Sequence, residues 1–142
     1  MDRENPAATR LPVTLVPVTQ ANWQDVIALR VADAQAENLA SNLYSLAEAY
    51  VEPACRPRAI VAGQTVMGFV MYEYLAWCDT YNIPRYMIDH RWQGRGYGRA
   101  GLSALIAEVD AADPAAALTI SLLPTNDGAR RLYAGLGFIE TG

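Results

Sequence analysis

The stretch from Tyr86 to Arg99 constrains the fold more than any other part of the sequence. An apolar strand is predicted to end near Asp89, a turn rich in glycine and arginine follows, and a helix is predicted to begin at about Gly98. One buried face of that helix is marked by Leu102, Leu105, Ile106 and Val109. A strand, a glycine turn and a helix N-terminus direct free backbone N–H groups at one spot, which is an arrangement that binds anions.

The turn carries the charge that an anion site needs, but it lacks two familiar nucleotide-binding patterns. Arg95 and Arg99 place positive charge where a pyrophosphate would lie. The P-loop is absent because no Gly-Lys-Ser/Thr follows, and the dinucleotide fingerprint is absent because its third glycine is missing. The pattern present is Gln93-x-x-Gly96-x-Gly98. Two glycines before a helix are often only a tight turn, so a second pattern is needed to decide.

Length and charge narrow the class of protein. A chain of 142 residues forms one domain with a real core, and its longest apolar runs are too short to span a bilayer. No basic-then-apolar leader opens the sequence, so we expect a cytoplasmic protein. Two cysteines without metal-like spacing and a single histidine argue against a metal site. A net charge of −4 argues against nucleic acid as the main partner and mildly favours a cationic substrate.

The remaining spacings predict strands and helices along a single domain. Residues 1–10 are polar and are expected to be poorly ordered, whereas residues 11–142 are expected to form the domain. Asn22 is predicted to cap a first helix. The inner face of a second helix is predicted from Leu43, Leu46, Ala47 and Tyr50. Strands are predicted at 13–18, 58–62, 65–77, 85–89 and 117–122, with one more starting at Phe138.

A second pattern lies near the C-terminus. Asn126 and Tyr133 are seven residues apart, which is two helical turns, so they share a helix face. Packing alone makes Tyr133 a core aromatic residue and Asn126 a helix cap. Asn126-x-x-Ala129-x-x-Leu132-Tyr133, followed by Leu136-Gly137-Phe138, resembles the second acetyl-CoA signature of the GNAT acetyltransferase superfamily. The pattern from Gln93 to Gly98 resembles the first signature of the same superfamily, and the two occur in the family's order.

The resemblance implies an α/β (α+β) GNAT fold. Its central sheet is expected to be mixed and mostly antiparallel, splayed between residues 85–89 and 117–122, with helices on both faces and acetyl-CoA in the gap. Members carry a further strand after the one at Phe138, whereas this sequence stops at Gly142, so the last strand is either missing from this sequence or supplied by another chain. A protein that ends here would have open sheet edges, and a homodimer is therefore expected. The residues implied to bind acetyl-CoA are Met87, Ile88, Asp89, Gln93, Gly94, Arg95, Gly96, Tyr97, Gly98, Arg99, Asn126 and Arg130.

The same resemblance implies direct transfer of an acetyl group from acetyl-CoA to a primary amine. Tyr133 would protonate the leaving thiolate, and a main-chain N–H near Ile88 would stabilise the oxyanion. The general base is less clear, because Pro84 stands where many relatives carry a glutamate. Glu73, Asp89 or a chain of water molecules could take that role, and Glu73 does so only if it faces the cleft.

The acceptor is suggested by a closer similarity. Residues 37–42 and 45–50, together with Tyr86-Met87-Ile88-Asp89, are similar to bacterial spermine/spermidine (diamine) acetyltransferases. Glu37 and Glu48 are then candidate contacts for a cationic small-molecule amine, although both are also consistent with solvated carboxylates on helix surfaces. The alternatives are an acceptor that is a peptide or protein, an amino acid or an antibiotic amine, and a non-catalytic acetyl-CoA sensor.

Overall fold

The computed structural model describes residues 12–31, 41–122 and 125–141. The expectation for residues 1–10 lies outside these ranges. The elements in chain order are β1 (Val13–Pro17), α1 (Trp23–Ala28), α2 (Asn42–Val51), β2 (Cys55–Ala62), β3 (Thr65–Leu75), β4 (Thr80–Ile88), a 3-10 turn (His90–Trp92), α3 (Tyr97–Ala112), β5 (Ala117–Ile120) and α4 (Asp127–Gly135).

The five strands form one sheet in the order β1-β2-β3-β4-β5. The first three pairings are antiparallel and the last, between β4 and β5, is parallel. This confirms the mixed, mostly antiparallel sheet that the sequence predicted. The parallel pairing ends where Ile83 lies beside Ile120, and β4 then continues to Ile88 without a strand on that edge in the described ranges. The predicted splay is therefore present.

Helices cover both faces of the sheet, as expected. On one face, Leu102, Leu105 and Val109 of α3 are at most 2% exposed and pack on the sheet, with α4 at the margin of the same core. On the other face, Val26 of α1 and the margin of α2 cover Phe69 and its neighbours. Among the described helices, none combines the length and apolarity that crossing a membrane requires.

Gly68 allows β3 and β4 to approach each other closely. A Cβ at this position would lie 2.5 Å from the carbonyl oxygen of Met87 and 2.8 Å from Cδ1 of Ile88. The register of β3 against β2 also shifts here, because Ile60 pairs with Gly68 whereas Val61 pairs with Val66. A glycine inside a strand pattern predicts a bulge or a close approach, and this glycine has both.

The prediction for the inner face of α2 was right at Leu46, which packs against the core, but wrong at its two ends. Leu43 and Tyr50 are 58% and 91% exposed, whereas Ser45 is fully buried. The Ser45 hydroxyl donates to the carbonyl oxygen of Ser41 and accepts from Nε of Arg85, so a polar residue can occupy the position that faces the sheet. The side chain of Ser41 caps this helix by accepting from the N–H of Tyr44.

Two further local predictions differ from the structure. Asn22 precedes α1, but its side chain accepts from the N–H of Thr19 and donates to the carbonyl of Pro17, so it ties the helix start to β1 instead of capping it. No strand starts at Phe138 in the described residues. The chain turns at Gly137 after α4, and the Phe138 ring folds back onto α4.

Gly68→Ala is expected to lower the free energy of unfolding by about 1–3 kcal/mol, because the added methyl group must displace strand backbone. Gly98→Ala is the matched control, since its nearest neighbours would lie 3.8 and 3.9 Å away. In the first turn of α3 that alanine should leave stability unchanged or slightly raised. Urea denaturation checks both, and equal losses in the two variants would contradict the close approach at Gly68.

Candidate active site

The carboxylate of Asp89 anchors the segment between β4 and α3. It is 1% exposed and accepts three hydrogen bonds: from the N–H of Arg30 at 2.9 Å, from the N–H of Arg91 at 3.0 Å and from Nε of Arg91 at 2.7 Å. Burial by itself would raise the pKa of Asp89, but these hydrogen bonds and the guanidinium charge outweigh it and lower the pKa. A buried, ionised carboxylate thus fixes the start of the turn.

Backbone and amide hydrogen bonds hold the same segment from two more sides. The N–H of His90 donates to the carbonyl of Arg30 at 2.7 Å. The side-chain amide of Gln93 donates to the carbonyl of Ile88 at 2.9 Å. Gln93 therefore folds the turn back onto the end of β4, a structural role that the pattern Gln-x-x-Gly-x-Gly does not reveal.

The segment 93–96, here called the glycine turn, delivers the chain into the N-terminus of α3. Gly94 and Gly96 have φ values of 77° and 88°, which is the left-handed region, and Gly96 is the N-cap residue. The first turn of α3 carries no acidic residue, so nothing there opposes an anion at the positive end of this 16-residue helix. The exposed Arg95 guanidinium lies 5.4 Å from the ring centre of Trp92. This geometry fits a pyrophosphate.

The edge of β4 beside the gap presents backbone groups of Ile88. The N–H of Asp89 donates to the carbonyl of Met67 on β3 at 2.8 Å. Successive residues of a strand point their backbone groups to opposite edges, so the N–H of Ile88 faces the gap. The expected oxyanion donor thus lies on the edge that has no partner strand in the described ranges, ahead of Asp89 and the 3-10 turn that lead to the glycine turn.

Tyr133 is held by the C-terminal turn of α4. The N–H of Gly137 donates to the carbonyl of Ala134 and that of Phe138 to the carbonyl of Tyr133, which is a Schellman motif. The ring centres of Tyr133 and Phe138 are 5.9 Å apart, and Tyr133 also packs against the α3 core. Burial raises the pKa of Tyr133, so its hydroxyl keeps its proton at neutral pH. The aromatic packing that the sequence predicted and a proton-donor role are therefore compatible.

The other residues of the second pattern make local contacts within α4. Asn126 caps this helix by accepting from the N–H of Ala129 at 3.0 Å, as predicted. Arg130 pairs with Asp127 at 3.1 Å and with Glu140 at 2.9 Å. These contacts hold Arg130 against two carboxylates, and contact of either residue with acetyl-CoA stays a prediction.

The face covered by α1 and α2, here called the acceptor side, carries a charged cluster. Glu48 of α2 pairs with Arg85 of β4 at 3.0 Å, and Nε of Arg85 donates to the Ser45 hydroxyl at 3.1 Å. The Arg85 guanidinium also lies 6.0 Å from the ring centre of Tyr44. Sequence reasoning missed Arg85, because no local pattern shows that β4 and α2 meet. Glu37 lies outside the described residues.

Glu73 belongs to the same neighbourhood. It is half-buried, pairs in register with Cys55 and accepts from the side-chain amide of Asn82 at 3.0 Å. Burial raises the pKa of the Cys55 thiol, and the negative charges of Glu73 and then of Glu48 raise it further. Both carboxylates therefore act on one spot on the acceptor side.

The described residues contain no group of three or more histidine, cysteine, aspartate or glutamate side chains that could hold a metal ion. The arrangement offers an anion cradle, a backbone donor and half-buried carboxylates. Such parts suit acyl transfer with a phosphate-bearing cosubstrate, where charge is stabilised by oriented N–H groups.

Comparison with known families decides the assignment. Residues 23–138 match the model of the acetyltransferase (GNAT) family. The chain belongs to the GNAT acetyltransferase family. This GNAT protein is therefore an acyltransferase, and its family uses acetyl-CoA as cosubstrate, as the two signatures implied.

Individual relatives of this GNAT protein have modest sequence identity. A spermine/spermidine N(1)-acetyltransferase of Bacillus subtilis (strain 168) is 27% identical over 138 residues, which cover 93% of this chain and 91% of the relative. The crystal structure of the ribosomal-protein-S18-alanine N-acetyltransferase from Escherichia coli superposes with a TM-score of 0.72 at 19% identity, covering 92% of this chain and 79% of that one. Mutant forms of a spermidine/spermine N-acetyltransferase from Vibrio cholerae superpose at 0.68 and 16% identity, covering 92% and 81%. The structural matches confirm the fold.

Asp89→Asn is expected to lower the free energy of unfolding by about 1–3 kcal/mol at pH 7, because an amide cannot accept all three N–H bonds. Since the folded pKa of Asp89 is lowered, its stabilisation is complete above the unfolded value of about 4 and is lost as the pH falls through the folded value. The difference in free energy of unfolding between wild type and Asp89→Asn should therefore become smaller below about pH 4, as measured by urea denaturation.

The control for this experiment is Asp110→Asn, on the exposed side of α3. It should leave stability unchanged at both neutral and acidic pH. If the difference in free energy of unfolding between wild type and Asp89→Asn did not change with pH, the role of an ionised Asp89 would be contradicted.

Proposed function

We propose that this GNAT protein transfers the acetyl group of acetyl-CoA directly to a primary amine of a small cationic acceptor, and that the acceptor is a polyamine. The proposal rests mainly on one observation: the unpaired edge of β4 leads straight into the glycine turn and α3. A long cosubstrate can pair with that edge and place its pyrophosphate at the turn. The relatives named for spermine and spermidine, at 26–27% identity, support the choice of acceptor.

The residues proposed to hold acetyl-CoA lie along this path. Backbone groups of β4 would pair with the pantetheine arm, and the amides of the glycine turn and of the first turn of α3 would bind the pyrophosphate. When bound, acetyl-CoA supplies an acetyl group activated as a thioester. The proposed set is Met87, Ile88, Asp89, Gln93, Gly94, Arg95, Gly96, Tyr97, Gly98, Arg99, Asn126 and Arg130.

Three groups of this chain would carry the chemistry. An alkylammonium with a pKa of about 10.4 is only about 0.04% neutral at pH 7, so Glu73 would take its first proton and pass it to solvent. The N–H of Ile88 would stabilise the oxyanion as the C–N bond forms. The nitrogen gives its second proton to solvent as the C–S bond breaks, while Tyr133 gives a proton to sulfur and regains one from solvent. One proton is released overall.

The charge of the acceptor side favours a cationic substrate. Burial raises the pKa of Cys55, the charges of Glu73, Glu48 and Glu52 raise it further, and Arg85 lowers it. Among the described residues that act on Cys55, negative charge therefore exceeds positive charge, which would attract an acceptor with more than one ammonium group. Glu48 and Glu37 are the proposed acceptor contacts. The second candidate function is the same acetyl transfer to the N-terminus of a peptide. It is favoured by Arg85, whose guanidinium could pair with a carboxylate of such an acceptor.

Three sequence expectations stay predictions beside this proposal: a single domain over residues 11–142, a cytoplasmic location and a homodimer. The dimer is supported by the outer edge of β5, which carries no partner strand in the described ranges. A cavity of about 1090 Å³ lies between this edge, α4 and the segment after it. An open strand edge of this kind can pair with a second chain.

Release of free thiol from acetyl-CoA should be fastest with spermidine, spermine or putrescine when these are compared with lysine and short peptides. The expected reason is the excess negative charge on the acceptor side. An acceptor-free reaction is the control for hydrolysis. Turnover with peptides alone would replace the polyamine by the second candidate, and tight acetyl-CoA binding without any turnover would favour a sensor.

Tyr133→Phe should lower kcat by roughly 10²–10⁴-fold, since the variant keeps the ring packing and loses only the proton donor. Tyr50→Phe is the matched control, because Tyr50 is 91% exposed on α2 and should give unchanged kinetics. Steady-state measurement of kcat and of KM for acetyl-CoA distinguishes the cases. Unchanged kcat in Tyr133→Phe would remove the tyrosine from the mechanism.

A further inference from the structure

Three polar side chains on neighbouring strands form a hydrogen-bonded line, here called the polar row: Glu73 of β3, Asn82 of β4 and Thr119 of β5. The amide nitrogen of Asn82 donates to Oε2 of Glu73 at 3.0 Å. The Thr119 hydroxyl donates to the amide oxygen of Asn82 at 2.9 Å. Exposure falls along the row, from the exposed Thr119 to the half-buried Asn82 and Glu73.

The row lies at the closed end of the gap between β4 and β5. Asn82 and Thr119 are register partners, and only the next pair, Ile83 with Ile120, precedes the separation of the strands. The register of β4 against β3 also changes here. Met71 pairs with Arg85 and Glu73 with Asn82, so β4 has one extra residue opposite β3. The extra residue lies beside Pro84, which lacks the N–H that regular pairing requires.

The hydrogen bond to the Glu73 carboxylate fixes the orientation of the Asn82 amide, since the Thr119 hydroxyl can either donate or accept. If the amide were rotated by half a turn, its oxygen would face the Glu73 carboxylate, and its N–H₂ group would face the Thr119 hydroxyl. The observed orientation gives an N–H donor to the carboxylate and so restrains its position. It also occupies Oε2 and leaves Oε1 of Glu73 for the substrate.

We propose that Asn82 and Thr119 are positioning residues, which hold the Glu73 carboxylate in place so that its Oε1 meets the ammonium group of the acceptor. This inference rests on the proposed function, in which Glu73 removes a proton from the amine. Thr119 acts only through its hydrogen bond to the Asn82 amide, and Asn82 acts only through Glu73. Neither residue needs to touch the acceptor or acetyl-CoA.

Asn82→Leu and Thr119→Val remove the polar atoms with little change in side-chain size. We expect kcat with the polyamine acceptor to fall about tenfold in Asn82→Leu and about threefold in Thr119→Val, with KM for acetyl-CoA unchanged. Thr119→Val should have no further effect in the Asn82→Leu background, because its effect passes through Asn82.

Thr80→Val is the matched control. Thr80 lies two residues before Asn82 on β4, and its hydroxyl donates to the carbonyl of Cys78 at 3.0 Å, outside the row. This variant should keep the wild-type kcat. A row that served only to stabilise the fold would lower the free energy of unfolding without changing the kcat of the folded protein, and an unchanged kcat in Asn82→Leu would overturn the inference.

A spectrum recorded without substrate separates this inference from the proposed function. The carboxyl carbon of Glu73 can be followed by NMR at neutral pH in protein labelled with ¹³C-glutamate and assigned by its loss in Glu73→Gln. Its chemical shift responds to the hydrogen bond that the carboxylate accepts, so it should change in Asn82→Leu and, by less, in Thr119→Val, but not in Thr80→Val. An unchanged shift in Asn82→Leu overturns the inference. A changed shift in a protein that does not acetylate polyamines would refute the proposed function alone.

Discussion

The parting of β4 from β5 after Ile83 is the constraint on which the rest of the architecture depends. A parallel pair that stays closed would satisfy the backbone of both strands and leave no room between them. Because β5 ends at Ile120, the last residues of β4 present N–H and C=O groups to an open gap. Buried or half-buried backbone groups need partners, so this edge is suited to a ligand that can imitate a strand.

A contact between residues far apart in sequence fixes the path of the chain from that edge into α3. Asp89 joins the turn to the backbone of Arg30, far away in the sequence, and the carbonyl of Arg30 accepts from His90 in return. The loop after α1 and the turn after β4 are thereby fixed to each other. The glycine turn and the acceptor side of the sheet therefore share one anchor, although they lie on different elements.

Much of the fold was predictable because its strongest patterns are local. The strand ending near Asp89, the glycine turn and the helix with Leu102 and Leu105 follow from spacing within one stretch. The family signatures then supplied the splayed sheet. The cap at Asn126 and the turn at Gly137 were likewise readable, because a helix end depends on a few adjacent residues.

The missed features depend on contacts between distant segments. Ser45 can lie on the buried face of α2 because its hydroxyl accepts a hydrogen bond from Arg85 of β4. The spacing of residues along a helix cannot indicate such a contact. The bonds from Thr119 through Asn82 to Glu73 depend on the register of three strands, and one extra residue in β4 sets part of that register. Phe138 has a strand-like neighbourhood in sequence, yet its ring packs against Tyr133, and no strand forms beside the open edge of β5 within the described residues.

The pair formed by Glu48 and Arg85 changes what acceptor binding means under the proposed function. A polyamine approaching Glu48 would find this carboxylate already paired with the Arg85 guanidinium. Binding would then be an exchange of one cation for another, and its free energy would be the difference between two ion pairs. Such an exchange would favour an acceptor whose ammonium groups have the right spacing over one that merely carries more of them. Arg85 would then compete with the acceptor for the same carboxylate.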